Sequence, residues 1–546
     1  MRSCTPSTIV SGSPSRTKYA GWVDSEYIDR LGEDLTAAGY RLKEIRDLIG
    51  EESDEARVRG VFAPARRSLV AHSGDPLATL IRTFLLGDIV EEDLLVTALP
   101  RLGITGAHTL GLVEFISGGL RAAISLNPVE IADPRAAEPG RWWILSDLDD
   151  ALRLGSAQPD HVMGVGGATR TLIAQAPPGD VRRSLEIGTG CGVVALHLAF
   201  RGPVVATDLS ARALRFARAN ARLNGVTGIE FRQGDLFEPV AGEDFDLILS
   251  NPPFVVTPRE SDAQRYEYRD AGLVGDELAE LVVRRAPEHL CHGGTLLCLA
   301  NWESPWGQDG LNRVTEWISE TDRALGSGSR IAGWVIERDR ISPVRYAETW
   351  ARDGGARPGD PEFERMMTSW LDDFSERRVV ALGLGSIRLR RISAGDDSAV
   401  PSPAATLVHV ERAGGAFSEA AGEHLAATFD TALTVAHLSD AEVLAERWVR
   451  SSDVVEHRQH VPGEEAPYAI ALEASAGISR RVTADPLLAA AVGACDGELT
   501  LGQIADALAT LLEVDAGAAE EALVAGVREL VWMGMLGLGA APRAVD

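Results

Sequence analysis

Long apolar runs are missing from this chain. No stretch approaches the roughly 18 consecutive apolar residues that a membrane-crossing helix needs, so no membrane partner is expected. Met1 to Ala20 is polar, is interrupted by Pro6 and Pro14, and lacks the apolar core of a secretory signal; residues 1–20 read as a disordered lead-in. Cysteine is scarce. The five present (Cys4, Cys191, Cys291, Cys298 and Cys495) never fall in a C-x-x-C spacing, which excludes a zinc site or a disulfide framework of the usual pattern. A cytoplasmic chain with free thiols is the expectation. His161, His197, His289 and His292 show no metal-ligand spacing, so no metal is expected. Lysine is nearly absent: only Lys18 and Lys43 occur, the remaining basic charge is arginine, and this reads as compositional bias. Positive charge is short overall, with a formal net charge of −27. The deficit is uneven, since residues 401–546 hold 8 Arg against 22 Asp and Glu while residues 151–250 hold 10 of each kind. An extended nucleic-acid surface needs the opposite balance, so none is expected in the acidic C-terminal third.

What is present points to several domains. At 546 residues and 45% hydrophobic content the chain is long enough for two to four cores. Leu77, Leu80, Ile81, Phe84 and Leu85 mark one buried helix face, opened by Asp75-Pro76 and stopped by Gly87. A second helix is expected over Glu91–Leu99, one strand over Arg121–Ile131 and another over Arg141–Leu145. Helices closed by a hairpin suggest a winged-helix-like module over 21–150, acting as a cap or a substrate holder. Residues 151–395 alternate strands and helices in the manner of a doubly wound α/β (Rossmann-like) sheet. Its strands are expected at Ser184–Ile187, Pro203–Thr207, Ile229–Gln233, Phe245–Ser250 and Gly294–Leu299, with later strands at Ile331–Glu337 and Val379–Leu389 around a helical insertion, Val344–Ser375. The Gly-, Ser- and Pro-containing stretch Ser393–Pro403 marks a linker, set at 396–405. Residues 406–546 then read as a separate acidic α+β domain. It ends in a winged-helix-like pattern: Thr500 as N-cap, a helix face of Leu501, Ile504, Leu508, Leu511 and Leu512, a second helix through Leu523–Val531, and a short strand Met535–Leu538.

The chemistry-bearing residues sit at successive strand ends. Glu186, Gly188, Gly190 and Gly192 form E-x-G-x-G-x-G after the first strand, where glycine permits a sharp turn and close backbone approach to a ligand. A dinucleotide turn would place its third glycine at Val193, one residue later. Asp208, with Leu209 beside it, ends the second strand, where an acid can accept two ribose hydroxyls. Asp235 and Leu236 end the third, placed for an adenine amino group and ring face. Ribose, adenine and no pyrophosphate cradle describe S-adenosylmethionine. Asn251-Pro252-Pro253-Phe254 ends the fourth strand. An amide or nucleobase nitrogen is a poor nucleophile because its lone pair is delocalised. The Asn251 side-chain oxygen, which also borders the cofactor, and the Pro252 carbonyl can accept its N–H bonds. Pro252 and Pro253 fix the loop, and Phe254 can stack on the planar acceptor. Tyr266, Tyr268 and Arg269 follow as substrate-side candidates, and Asn301-Trp302 as a further wall or as core. A nucleophilic role for Cys191 lacks an activating partner.

Leu185–Phe254 resembles class I S-adenosylmethionine-dependent methyltransferases, specifically the small-domain branch with an N-P-P-(Y/F) loop. That branch includes release-factor glutamine methyltransferases and RNA guanine and adenine N-methyltransferases. Gly234-Asp-Leu-Phe-Glu-Pro239 and the Asn251 loop carry the likeness. Trp142-Trp143, Ser146–Asp149 and Asp160–Gly167 are similar to long actinobacterial methyltransferases of unassigned substrate. Phe254 matches the RNA guanine enzymes better than the glutamine enzymes, which carry Tyr there. The resemblance implies N-methylation of a planar amino or amide nitrogen of a protein, peptide or RNA. Two alternatives stand beside it. One is a tailoring methyltransferase for a peptide-derived natural product, with a C-terminal peptide-recognition module. The other is an inactive methyltransferase-fold scaffold.

Overall fold

The computed structural model describes residues 25–132, 139–153, 158–253, 255–258, 274–326, 329–353, 355–393 and 406–539. The expected lead-in at 1–20, the linker at 396–405, Phe254, and Tyr266, Tyr268 and Arg269 lie outside the described residues. No described helix is long and apolar enough to cross a membrane.

A central eight-stranded sheet organises the chain. Its strands are β1 (Ser184–Ile187), β2 (Val204–Asp208), β3 (Ile229–Gln233), β4 (Phe245–Ser250), β5 (Leu290–Pro305), β6 (Ser329–Ile341), β7 (Val379–Ser393) and β8 (Leu407–Arg412). The spatial order is β8-β6-β7-β5-β4-β1-β2-β3. The order reverses at β1, which pairs in parallel with both β2 and β4. That reversal opens a crevice beyond the strands' carboxyl ends, the usual place for a ligand in such sheets. β1 is buried along its whole length, as a strand covered on both faces must be. β7 alone reverses direction between β5 and β6. Seven helices matter for the site: α1 (Gly167–Gln175), α2 (Val193–Leu198), α3 (Ala211–Leu223), α4 (Glu277–Arg285), α5 (Gly310–Ala324), α6 (Pro343–Asp353) and α7 (Pro361–Glu376). The last two are the helical insertion, between β6 and β7.

The N-terminal module packs on this core without a break. Ile28, Phe84, Trp142 and Trp143 share one apolar cluster with Val193, Phe216 and Leu247. Asn220 of α3 and Asn224, the residue capping its C-terminus, act as surrogate strand partners for Gly140–Ser146. Asn220 accepts the Leu145 N–H and donates to the Leu145 carbonyl at 2.8 and 2.9 Å, and Asn224 does the same for Trp143 at 2.8 Å each. An edge that would otherwise be open is thus satisfied by side chains. The expected single strand over Arg121–Ile131 is two strands, Gly119–Ala122 and Ser125–Ile131. The chain turns at Ala123, whose N–H bonds the Leu112 carbonyl at 2.9 Å. It thereby leaves one hairpin for a second, antiparallel pairing with Gly140–Ser146. Asp75 caps its helix as the sequence suggests, accepting from Leu77 N at 2.7 Å, but the helix continues as a π turn over Ile81–Leu85.

The acidic third departs from its expected separateness. β8 pairs in parallel with β6 over Ala332–Glu337, so residues 407–412 complete the central sheet. Trp334 of β6 is fully buried among Phe429 and Trp532, and its indole N–H donates to Glu411 Oε1 at 2.9 Å. Thr500 does cap its helix, in a reciprocal capping box with Gln503. The helix face is shorter than its leucine pattern implies. Leu501 and Ile504 are buried, whereas Leu511, in the helix's last turn before the left-handed Glu513, is 76% exposed.

Candidate active site

The crevice at the carboxyl ends of β1, β2, β3 and β4 is a cavity of about 410 Å³. That lies within the size range of small-molecule sites. The structure brings Glu186, Gly188, Gly190, Asp208, Leu209, Asp235, Leu236, Asn251, Pro252 and Pro253 to its lining. Gly192 stands just behind, where the turn enters α2.

The glycine turn owes its shape to left-handed backbone. Gly188, Gly190 and Gly192 have φ of +74°, +54° and +89°, values that residues with a Cβ adopt only under strain. Gly188 and Thr189 both donate to the Thr207 carbonyl at the end of β2, at 2.9 and 3.0 Å. Glu186 is buried beneath the turn and accepts the Thr189 hydroxyl at 2.5 Å. Burial, with Asp208 nearby, pushes its carboxyl up to about 8. Glu186 is therefore largely protonated at neutral pH and acts as an internal staple. Asp208 has its oxygens anchored separately: Oδ2 accepts Gly190 N–H and Oδ1 accepts Ser210 N–H, each at 2.8 Å. Asp235 is exposed at the cavity rim, and Leu236 beside it sits at φ +42°.

Asn251 carries the most telling detail. Its Oδ1 is buried and has no hydrogen-bond partner among the described residues. Buried acceptors are nearly always satisfied, and an orphan at a cavity wall is a place reserved for a donor. The backbone beyond is held from outside the sheet. Val256 N–H donates to the Tyr346 hydroxyl at 2.9 Å, and Trp370 Nε1–H donates to the Val256 carbonyl at 2.7 Å.

Further lining residues escaped the sequence reading. His161, Met163, Gly164, Gly166 and Gly167 form one wall, strapped to the N-terminal module by Asp147, which accepts the Val162 N–H at 2.7 Å and pairs with Arg212. Burial lowers the basicity of His161. The glycine-rich run Gly164–Gly167 was a visible signal for this wall. Trp350 and Asp353 of α6 and Leu278 of α4 line it elsewhere. Nothing local in the sequence marked them. Asn301 and Trp302 do not line the cavity: Trp302 is fully buried and donates to Glu337 Oε2 at 3.0 Å, and Asn301 donates to the Tyr346 hydroxyl at 2.9 Å. Cys191 lies at the cavity, but burial pushes its thiol up to about 12, which disarms it as a nucleophile. The lining's carboxylates, apart from the protonated Glu186, are Asp208, Asp235 and Asp353, and no arginine or lysine is among the described lining residues. Such a wall suits a ligand bearing positive charge. No cluster that would hold a metal ion occurs among the described residues.

Known proteins bear on this geometry. Residues 163–321 match the family described as "Methyltransferase small domain", and residues 37–123 match a "Domain of unknown function (DUF7059)". The release factor glutamine methyltransferase of Bordetella pertussis is 35% identical over 215 residues, covering 36% of this chain and 73% of that protein. The corresponding protein of Xylella fastidiosa is 36% identical over 148 residues, covering 25% of this chain and 54% of that one. The ribosomal protein uL3 glutamine methyltransferase of Bradyrhizobium diazoefficiens is 34% identical over 149 residues, covering 26% and 46%. The chain thus spans about half the length of the latter two relatives. A ribosomal protein L11 methylase from Lactobacillus delbrueckii aligns over 41% of this chain and 79% of its own at 18% identity and a TM-score of 0.23.

Sheet order, glycine turn and these relatives lead to one conclusion: the chain belongs to the class I S-adenosylmethionine-dependent methyltransferases of the small-domain branch.

Proposed function

We propose that this protein methylates a side-chain amide nitrogen of a protein, with S-adenosylmethionine as donor. The observation that carries this reading is the buried Oδ1 of Asn251 at the end of β4, which no donor among the described residues meets. The relatives named glutamine methyltransferases favour an amide over a nucleobase.

The residues present fit the cofactor. The left-handed Gly188 and Gly190 leave backbone bare at the cavity, and a Cβ added at Gly190 would meet nothing within 4 Å. Asp208 would accept the ribose hydroxyls, while Asp235 and Leu236 would meet the adenine. When bound, the cofactor supplies an electrophilic methyl group on a cationic sulfonium. The carboxylate-rich lining stabilises that positive charge. Asn251 Oδ1 and the Pro252 carbonyl accept the two N–H bonds of the acceptor amide. They thereby favour a localised lone pair on nitrogen and stabilise the positive charge that develops there. Pro252 and Pro253 keep these acceptors in place without ordering cost at reaction. Phe254, Tyr266, Tyr268 and Arg269 are proposed for the acceptor side on the sequence pattern alone.

The test uses S-adenosylmethionine tritiated in its methyl group and a lysate from cells lacking the gene. Label should enter material destroyed by protease and resistant to RNase. Asn251→Ala should lower transfer by about a hundredfold or more, the scale of losing a key electrostatic contact, while S-adenosylhomocysteine affinity stays near wild type. Near-normal turnover in the alanine enzyme, or RNase-sensitive label, would refute the reading.

A further inference from the structure

Tyr346 is fully buried in α6, and its hydroxyl lies where three elements meet. It accepts Val256 N–H from the loop after Asn251 and Asn301 Nδ2–H from β5, each at 2.9 Å. Trp370 of α7 takes the other side of the same residue through its bond to the Val256 carbonyl. Both backbone polar groups of Val256 are therefore held by side chains of the helical insertion. The grip has its own apolar core: Val255 and Val256 pack with Tyr346, Phe363, Trp370 and Phe374, apart from the main core beneath the sheet. The Tyr346 ring meets Phe374 edge-on at 5.9 Å.

The same helix reaches the cavity. Residues spaced by four and seven lie on one helical face, so Tyr346, Trp350 and Asp353 form a single stripe. Its first member holds the loop, and its other two line the cavity with Asn251. The rings of Tyr346 and Trp350 are 6.0 Å apart.

We infer that the helical insertion is an acceptor-positioning device: Tyr346 and Trp370 fix the loop that carries the unpaired Asn251 oxygen, and Trp350, one turn beyond Tyr346, forms the aromatic wall against which the planar acceptor is seated. This rests on the amide-transfer reading above. The physical reason is alignment. Asn251 acts only if its oxygen meets the acceptor N–H in line for transfer, and displacement of about 1 Å can cost a hundredfold in rate. Two prolines stiffen the loop internally but do not fix where it sits relative to the sheet. Tyr346 supplies that reference, because it bonds the loop and β5 through one oxygen.

Four variants of the full-length protein test this: Tyr346→Phe, Trp370→Phe, Trp350→Ala and Trp350→Phe. Each is compared by calorimetry with S-adenosylhomocysteine, by hydrogen–deuterium exchange over residues 250–258, and by tritium transfer across a dilution series of the same lysate. Tyr346→Phe should raise exchange at the Val256 amide and, like Trp370→Phe, lower transfer at saturating lysate about tenfold or more, with cofactor affinity within about threefold of wild type. Trp350→Ala should raise the half-saturating lysate concentration about tenfold, the effect expected of a lost stacking surface, and Trp350→Phe should restore most of it. Wild-type turnover and half-saturation in all four variants would overturn the inference. So would cofactor affinity falling in step with turnover, the mark of a purely structural role. If the wild-type enzyme itself transfers no label to protein, the amide-transfer reading fails, and this inference falls with it.

Discussion

Asp208 meets two demands with one carboxylate. Its oxygens pin the glycine turn through Gly190 N–H and the start of α3 through Ser210 N–H, and they face the cavity at the same time. Asp208→Ala should weaken S-adenosylmethionine binding at least about tenfold by calorimetry, and unchanged affinity would remove Asp208 from the site. Glu186 is different in kind, and the sequence hid the difference. The strand-end position suggested a cofactor ligand; Glu186 does reach the cavity lining, but its side chain lies under the turn with the Thr189 hydroxyl on it. Its carboxyl is raised from 4.5 to about 8, chiefly by burial. A raised folded-state value means that the native chain holds the proton more tightly than the unfolded chain. The stabilisation is complete below about pH 4.5 and is lost as pH rises through about 8. Glu186→Gln should therefore flatten the fall in stability between those values. It should leave the variant more stable than wild type at pH 9, by an amount on the order of a few kcal/mol, read by urea unfolding as a function of pH.

The glycine turn and the insertion show what a sequence can and cannot reveal about an element. Three glycines at alternating positions announce a left-handed turn because few other residues tolerate that backbone. The separate job of each glycine depends on what lies across from it. A Cβ at Gly192 would fall 2.9 Å from Ala217 Cβ and 3.0 Å from Ala217 Cα, so α2 and α3 touch there backbone to backbone. At Gly190 a Cβ would meet only open cavity. Gly192→Ala should cost about 2–4 kcal/mol of stability, from strain plus displaced helix packing. Gly190→Ala should cost about 1 kcal/mol, from its left-handed backbone alone, yet weaken cofactor binding more. Urea melts and calorimetry on the pair separate the two effects. The insertion was equally visible as a helical stretch with aromatics. Its use was not: the partners of Tyr346 and Trp370 lie at Val256, a sequence distance that no local pattern spans. Phe254 pointed another way: its likeness to RNA guanine enzymes set it apart from glutamine enzymes, whereas the three relatives named above are glutamine methyltransferases.

At the scale of the whole molecule, composition suggested a boundary that the sheet does not keep. Gly, Ser and Pro around Ser393–Pro403 read as a linker, and the charge imbalance beyond it read as independence. Strand pairing is non-local, so neither signal could report that residues 407–412 return to lie beside β6. The junction is built to be buried. Arg480 pairs with Glu411 through two bonds of 2.9 and 2.7 Å, with both side chains at most 10% exposed, and Trp334 donates to the same carboxylate. Removing one partner of a buried pair strands the other's charge and costs about 3–5 kcal/mol, whereas replacing both by apolar groups can be nearly neutral. Arg480→Met should therefore destabilise the chain by about that amount, and Glu411→Leu/Arg480→Met should recover most of it. If the acidic third were a separate unit, Arg480→Met would lower its own transition and leave the catalytic sheet's transition unmoved. Because β8 belongs to that sheet, loss of S-adenosylhomocysteine binding on heating should shift down together with the calorimetric transition. Two separated transitions, with the binding-linked one unchanged, would show that the junction does not couple them.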